Sequence, residues 1–225
     1  MLLLILDIDQ TLTDSIGIHH DCFLKAFDPF EIPNLDTDWG GYTHHTDSWI
    51  FEEVIRRAFD RLPTRDESEH FNNRHIACFE KGIAAAPIQE IPGAGEFLRA
   101  LQANPQIAYI FATGSIRPLA LRKLESLGIS YPPELLVTAS EFLTREDIVR
   151  QAIENAREYW GCEDFDRQIS IGDGYWDLRT ARNLELEFIG IAAGEKAGVL
   201  RDAGVAHVFP DLRAEQLLKL IENKN

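Results

Sequence analysis

Cysteine and methionine are scarce in this sequence, which has three cysteines and one methionine among its 225 residues. Cys22, Cys78 and Cys162 are odd in number and widely spaced, and they form neither a zinc-binding spacing nor a C-x-x-C redox motif. A disulfide scaffold and a structural zinc module are therefore excluded as fold classes. We expect reduced thiols in a cytoplasmic protein.

The sequence also has few basic residues and few long apolar runs. Asp and Glu number 37 against 22 Lys and Arg, which gives a net charge of −15. This balance argues against nucleic-acid binding, which needs clustered Lys and Arg, and against anionic membranes. The apolar opening, MLLLIL, is far shorter than the about 20 residues of a membrane-spanning helix. We expect a small-molecule partner, no nucleic acid, no membrane, and a monomer or homodimer.

Short apolar runs that alternate with helical segments dominate what the sequence does contain. Leu2–Leu6, Ile107–Ala112 and Ile169–Ile171 are typical of buried strands in a parallel sheet. The segment Thr144–Trp160 has the apolar spacing of a helix, opened by a capping residue. The alternation predicts an α/β fold built on a doubly wound, Rossmann-like parallel sheet.

One stretch departs from this alternation. Between Ser15 and Ile91 apolar residues recur only at helical spacing, and no strand is indicated. We therefore predict two units: a core domain of residues 1–15 and 92–225, and an inserted α-helical cap domain of residues 16–91.

A small polar cluster follows each of three strands. The clusters are Asp7 with Asp9 and Thr11, Thr113 with Gly114 and Ser115, and Asp173 with Gly174 and Asp177. Ligands of open α/β sheets bind outside the carboxyl ends of the strands, so we expect the three clusters to converge on one site. Close carboxylates repel one another unless a hard cation such as Mg²⁺, which prefers oxygen ligands, lies between them. A hydroxyl with backbone amides at a helix start suits a phosphate.

In this order, the clusters resemble the motifs of the haloacid dehalogenase superfamily. DIDQTLT at 7–13 resembles the first motif, Thr113 after its strand resembles the second, and GDGYWD at 172–177 resembles the fourth. The resemblance covers essentially the whole chain. The helical insertion lies where one subclass, which includes phosphoglycolate phosphatases and β-phosphoglucomutases, carries a cap.

The resemblance implies a magnesium-dependent phosphatase that hydrolyses a small phosphorylated metabolite. Asp7 would attack phosphorus and form an aspartyl-phosphate, and Asp9 would serve as general acid and base. The implied Mg²⁺ ligands are Asp7, Asp9 through its backbone carbonyl, Asp173 and Asp177. The implied phosphate-binding groups are Thr113 and the Gly114 amide.

The sequence departs from the superfamily pattern at two positions. Gln10 stands where the first motif usually has Gly. The third motif normally supplies a Lys that pairs with the phosphate and the nucleophile, and the candidate by spacing is Arg145, which keeps the charge but not the compact geometry of a Lys. Lys123 is the rival candidate, although its position inside a helix predicts a surface role.

A polar loop inside the cap is the candidate for recognising the leaving group of the substrate. In related caps such a loop faces the substrate, so we expect Thr43, His44 and His45 to face the active site. A plain interhelical loop is the alternative.

Three alternative functions stay open. A phosphomutase of the same superfamily would use the same aspartyl-phosphate. A metal-independent haloacid dehalogenase would attack carbon, but that subclass lacks an acid at the position of Asp9. A weakly active phosphate-binding protein is favoured only by the missing third-motif Lys.

Overall fold

A parallel sheet forms the centre of the molecule in the computed structural model, which describes residues 1–213 and 215–222. Its strands are β1 (Leu2–Leu6), β4 (Ile107–Ala112), β5 (Leu136–Val137), β6 (Arg167–Gly172), β7 (Glu187–Ile191) and β8 (Val208–Phe209). They lie in the order β5-β4-β1-β6-β7-β8, and every neighbouring pair is parallel. The predicted α/β parallel sheet is confirmed.

The central position of β1 explains its composition. In the register of the sheet, Leu4 lies between Tyr109 of β4 and Ile169 of β6. Leu3 and Leu6 have no exposed surface. A strand with neighbours on both edges and helices around it needs apolar side chains on both faces, which accounts for the continuous leucine run.

Helices connect the strands and pack against the sheet. They are α4 (Ala94–Ala103), α5 (Arg117–Ser126), α6 (Arg145–Trp160), α7 (Tyr175–Asn183), α8 (Gly194–Asp202) and α9 (Glu215–Glu222). The predicted capping of α6 is present, because the Thr144 Oγ1 atom accepts a hydrogen bond of 3.1 Å from the Asp147 amide. Capping places the next residue, Arg145, at the first position of the helix.

The inserted segment is helical, as expected. It contains α1 (Ile16–Ala26), α2 (Asp47–Phe59) and α3 (Arg65–Ala85), with α1 packed on α3. Its buried aromatic side chains form a cluster separate from that of the sheet, in which the rings of Phe51 and Phe71 stack 4.3 Å apart. The boundaries at residues 15 and 92 stay a prediction.

Two short strands flank the helical segment, and the second of them lies between Ser15 and Ile91, where the pattern indicated none. β2 (Thr13–Asp14) pairs antiparallel with β3 (Gln89–Glu90). The pair ties together the two chain segments that enter and leave the cap. Strands of two residues carry no readable periodicity, which explains why the sequence did not indicate them.

The expectation of reduced thiols is wrong for two of the three cysteines. Cys22 of α1 and Cys78 of α3 form a disulfide, with Cα atoms 5.3 Å apart and a sequence separation of 56. The packing of α1 on α3 brings the two together, and their spacing along the chain does not reveal it. Cys162 is free. The cytoplasmic location loses the support of unpaired thiols and stays a prediction.

Membrane insertion through a helix finds no support in the structure. Across residues 1–213 and 215–222, no helix is both long enough and apolar enough to cross a bilayer.

Candidate active site

The carboxyl ends of β1, β4 and β6 meet at one edge of the sheet. Asp7 follows β1, Thr113 follows β4 and Asp173 follows β6, and β1 is hydrogen-bonded to both of the other strands. The structure therefore brings the three predicted clusters together. A cavity of about 290 Å³ opens at this edge, between the sheet and the helical cap.

Asp7 is buried at the floor of the cavity. Its Oδ1 atom accepts a hydrogen bond of 3.1 Å from Arg145 Nη1, and its Oδ2 atom accepts one of 3.2 Å from Thr11 Oγ1. Burial, followed by the charge of Asp177, raises the pKa of Asp7 to about 7, against the lowering effect of Arg145. The carboxylate is thus oriented by two donors and poorly solvated, at the position where the sequence predicts the nucleophile.

Three buried carboxylates form a group that fits a hard divalent cation. One oxygen each from Asp7, Asp173 and Asp177 lies within 4.8 Å of the other two. Burial is the largest cause that raises the pKa of Asp173 and of Asp177, in both cases to about 6. Lys196 donates to Asp173, and Arg145 Nη1 donates to Asp177 Oδ1 at 2.7 Å. An all-oxygen set of desolvated carboxylates suits Mg²⁺.

The Asp9 carboxylate lies apart from this group and has its own donors. It accepts hydrogen bonds of 2.6 Å from Ser15 Oγ, 2.8 Å from Ser115 Oγ and 2.7 Å from Lys123 Nζ. Burial alone would raise the pKa of Asp9, but Lys123 holds it well below its usual range. Asp9 is therefore ionised in this arrangement, and only its backbone carbonyl is left as a candidate metal ligand.

The surface role predicted for Lys123 is wrong. Lys123 has no exposed surface, and besides Asp9 its Nζ atom contacts Ser115 Oγ at 2.6 Å and His19 Nδ1 at 3.0 Å. A signal was present in the sequence. Lys123 falls on the same helical face as the buried Leu119 and Ala120, so a cation stands in an apolar stripe.

A chain of hydrogen-bonded, buried polar groups connects Lys123 to the cap. An ammonium group can only donate, so His19 Nδ1 accepts from Lys123, and the proton on Nε2 is directed to Asp47 Oδ1 at 2.9 Å. The other oxygen of Asp47 accepts from the Ile116 amide at 2.9 Å. Although burial raises the pKa of Asp47, its contact with His19 lowers it to about 2. We refer to these residues as the Lys123–His19–Asp47 chain.

Arg145 occupies the place expected of the third motif. It is buried, and besides Asp7 and Asp177 it donates through Nε to the His45 carbonyl at 3.2 Å. Both candidate cations thus reach the site, but they serve different carboxylates. Arg145 contacts Asp7, and Lys123 contacts Asp9.

The two predicted phosphate-binding residues differ in position. Gly114 lines the cavity together with Ser115, whereas Thr113 is buried behind it and its Oγ1 atom accepts from the Ser115 amide at 3.1 Å. A Cβ atom on Gly114 would lie 2.4 Å from the His45 carbonyl oxygen, so only glycine fits between the two loops. Thr113 shapes the loop after β4, and Gly114 and Ser115 present it to the cavity.

Of the three cap-loop residues expected to face the site, only His45 lines the cavity. Its ring stacks on Trp176 with centroids 3.8 Å apart, and burial lowers the pKa of His45 to about 3. Core residues hold the other two outside the wall. His44 Nδ1 lies 3.3 Å from Glu146 Oε2, and the exposed Thr43 accepts a hydrogen bond from Arg179 through its carbonyl.

Sequence reasoning missed Lys196, His19 and Asp47. Lys196 lies on α8 just after β7, and β7 is the neighbour of β6, so its side chain reaches Asp173. This placement was foreseeable only from the strand order. His19 and Asp47 depend on how α1 and α2 dock on the core, for which the sequence offers no local signal.

The chain resembles known proteins in sequence and in fold. The sequence model of the haloacid dehalogenase-like hydrolases matches residues 1–185. A search of curated proteins finds no match. A hydrolase from Pseudomonas syringae is similar in structure, with a TM-score of 0.76, 24% identity and 100% of both chains covered.

Two further structures share the fold. CbbY from Rhodobacter sphaeroides, crystallised with phosphate, has a TM-score of 0.68 and 18% identity, with 94% of each chain covered. A predicted phosphoglycolate phosphatase from Haemophilus somnus has a TM-score of 0.63 and 14% identity, with 98% of this chain and 97% of that chain covered. Sheet order, site position and the match over residues 1–185 agree: the chain belongs to the haloacid dehalogenase-like hydrolases.

Proposed function

We propose that this hydrolase is a magnesium-dependent phosphatase that acts on the phosphomonoester of a small metabolite. The observation that carries the proposal is the position of Asp7. It is a buried carboxylate bonded to Arg145 and grouped with Asp173 and Asp177 at the floor of the cavity. The phosphate bound to CbbY, a protein of the same fold, supports this ligand class.

Asp7 and Asp9 divide the chemistry between them. A carboxylate oxygen of Asp7 attacks phosphorus, the ester P–O bond breaks, and the leaving oxygen takes a proton from Asp9. Asp9 then accepts a proton from a water molecule that attacks phosphorus, which frees phosphate and restores Asp7. Lys123 keeps Asp9 ionised in the arrangement described above, which is the state required for the second step. The first step requires Asp9 to carry a proton, so the Asp9 carboxylate must take one up and leave Lys123 before the ester bond breaks.

Other residues bind and orient the phosphoryl group. Arg145 places a permanent positive charge beside Asp7, and Gly114 and Ser115 line the wall next to it. Mg²⁺, held by Asp7, Asp173, Asp177 and the Asp9 carbonyl, would supply further positive charge to the phosphoryl oxygens. Its fit rests on the oxygen donor set and on the raised pKa values of Asp173 and Asp177.

No comparable structural observation supports the three alternative functions. An acid at Asp9 and a group of three carboxylates both argue against a metal-independent dehalogenase. Arg145 supplies a cation to Asp7, which weakens the argument for a phosphate-binding protein. A phosphomutase would need a bisphosphate, which no feature of the cavity favours. The cytoplasmic location and the monomeric or homodimeric state stay predictions from composition.

Metal removal tests the proposal. We expect p-nitrophenyl phosphate to be hydrolysed with Mg²⁺ present, no phosphate to be released in EDTA, and activity to return on Mg²⁺ addition. Mg²⁺ should also raise the melting temperature of the protein, because it binds the folded carboxylate group and not the unfolded chain.

The melting curve in EDTA is the control, since a protein that stays folded there has lost its metal and not its structure. Activity that EDTA leaves unchanged would contradict the metal dependence. An absence of phosphate release under every condition would contradict the phosphatase itself.

A further inference from the structure

The two walls of the cavity differ in charge. Cationic side chains in the lining, Arg145 and Lys196, come from the core, and each is already bonded to a carboxylate of the floor. Among the lining residues that the structure describes, the wall built by residues 16–50 contributes no Lys or Arg. It does contribute a carboxylate, Asp47, and Asp9 lies below it on the core side.

Two of the imidazole groups in the cap wall offer no free positive charge. His19 accepts a hydrogen bond from Lys123 at Nδ1 and donates one to Asp47 from Nε2, so both of its ring nitrogens are engaged. Burial keeps His45 neutral near pH 7, since it lowers the pKa of His45 to about 3. A second anionic group on a substrate would therefore meet carboxylates without a free counter-charge in this wall.

What the cap wall offers instead is apolar and aromatic surface. Phe23, Trp39 and Ile50 line it, with the rings of Phe23 and Trp39 5.3 Å apart, and Trp176 stacks on His45 from the core side. Aromatic faces of this kind pack against rings and aliphatic groups of ligands.

Two ring nitrogens in the same wall lack hydrogen-bond partners. They are His20 Nε2 and Trp39 Nε1, both buried. Buried polar atoms without partners are unusual in proteins, and both of these belong to side chains that line the cavity.

From these features we infer that the alcohol released by this enzyme is uncharged and carries a ring or another apolar surface. The inference rests on the proposed phosphatase function. It disfavours phosphorylated carboxylic acids and sugar bisphosphates, whose second anionic group has no cation to meet in the cap wall.

A matched pair of substrates tests the inference. Phenyl phosphate and 4-carboxyphenyl phosphate differ by a single carboxylate placed away from the ester bond. With the wild-type protein and Mg²⁺, kcat/KM for phosphate release should be about tenfold or more higher for phenyl phosphate, because the carboxylate enters a wall without a counter-charge.

A cap variant tests the origin of the preference. His20→Arg adds a cation to the wall and should lower the kcat/KM ratio of the neutral to the carboxylated compound by about fivefold or more. The matched control is His70→Arg, the same substitution at an exposed position of α3, which should leave the ratio unchanged.

The possible outcomes distinguish the inference about the released alcohol from the proposed phosphatase function. Equal or faster hydrolysis of the carboxylated compound, with activity dependent on Asp7, would overturn the inference and leave the phosphatase intact. A ratio that His20→Arg and His70→Arg change equally would also overturn it, since the cap wall would then not set the preference. No phosphate release from either compound would contradict the phosphatase, and the inference with it.

Discussion

At the scale of single residues, the site depends on two buried cations with separate tasks. Arg145 lies against Asp7 and Asp177, and Lys123 lies against Asp9. Arg145 opposes the rise in the pKa of Asp7 that burial and Asp177 cause, whereas Lys123 holds the pKa of Asp9 well below its usual range. The two carboxylates that the proposed reaction uses therefore belong to two separate ion pairs.

Replacing Lys123 by methionine tests this division. Lys123→Met keeps most of the side-chain volume but leaves Asp9 with hydroxyl donors only, so we expect about 2–4 kcal/mol loss of stability at pH 7. Since the pKa of Asp9 is depressed in the folded protein, the lost contribution exists above the ordinary aspartate value and disappears at lower pH. The difference from wild type should therefore narrow only as the pH falls below about 4, towards the depressed pKa of Asp9.

Urea unfolding at pH 7 and at about pH 3 measures the difference. Lys81→Met, at an exposed position of α3, is the matched control and should change stability by no more than about 0.5 kcal/mol. A Lys123→Met protein that is as stable as wild type at pH 7 would show that the buried ion pair has no net effect.

At the scale of structural elements, the first turn of α2 joins the cap to the core. Thr46 Oγ1 donates to the Leu143 carbonyl at 2.6 Å, and Ser48 Oγ donates to the Ala139 carbonyl at 2.6 Å. The Asp47 amide donates to the Gly114 carbonyl at 2.8 Å. These bonds hold α2 over the loop after β4, which carries Gly114 and Ser115 of the cavity wall. The docked cap therefore helps to position this wall.

A single hydroxyl deletion should loosen this junction. Ser48→Ala removes one hydrogen bond between cap and core, worth about 1 kcal/mol, without changing the helix cap at Thr46. The amides of Asp47 and Ile116, whose hydrogen bonds cross the same junction, should then exchange with solvent about fivefold faster.

Hydrogen exchange followed by NMR reports these two amides. Ser68→Ala is the control, because it removes a hydroxyl-to-carbonyl bond that stays within the cap. Exchange rates that both variants alter to the same degree would argue against a local junction at α2.

At the scale of the whole molecule, the sheet was predictable and the connections between units were not. Leu2–Leu6 and Ile107–Ala112 are continuous apolar runs, and each is a central strand within the bounds expected. The rule that ligands lie beyond the carboxyl ends of parallel strands correctly brought Asp7 and Asp173 together. Strand composition and strand order suffice for these features.

Contacts between segments that are far apart in sequence cannot be predicted from a local sequence pattern. The Cys22–Cys78 disulfide and the contact of Lys123 with His19 depend on how helices far apart in sequence pack together. Thr43 was expected at the cavity because it lies in a polar cap loop, yet Arg179 of the core holds its backbone outside the wall. A sequence pattern names the side chains available to a site, whereas tertiary packing decides which of them reach it.

Trapping the phosphoenzyme tests the central claim, that Asp7 is the nucleophile. The wild-type protein is quenched in acid during turnover of p-nitrophenyl phosphate with Mg²⁺, and the peptide that contains Asp7 is examined by mass spectrometry. We predict one phosphoryl group on Asp7, which is absent in Asp7→Asn, with turnover by that variant lower by at least about a thousandfold. Retained turnover in Asp7→Asn, or a phosphoryl group on a different residue, would contradict the account.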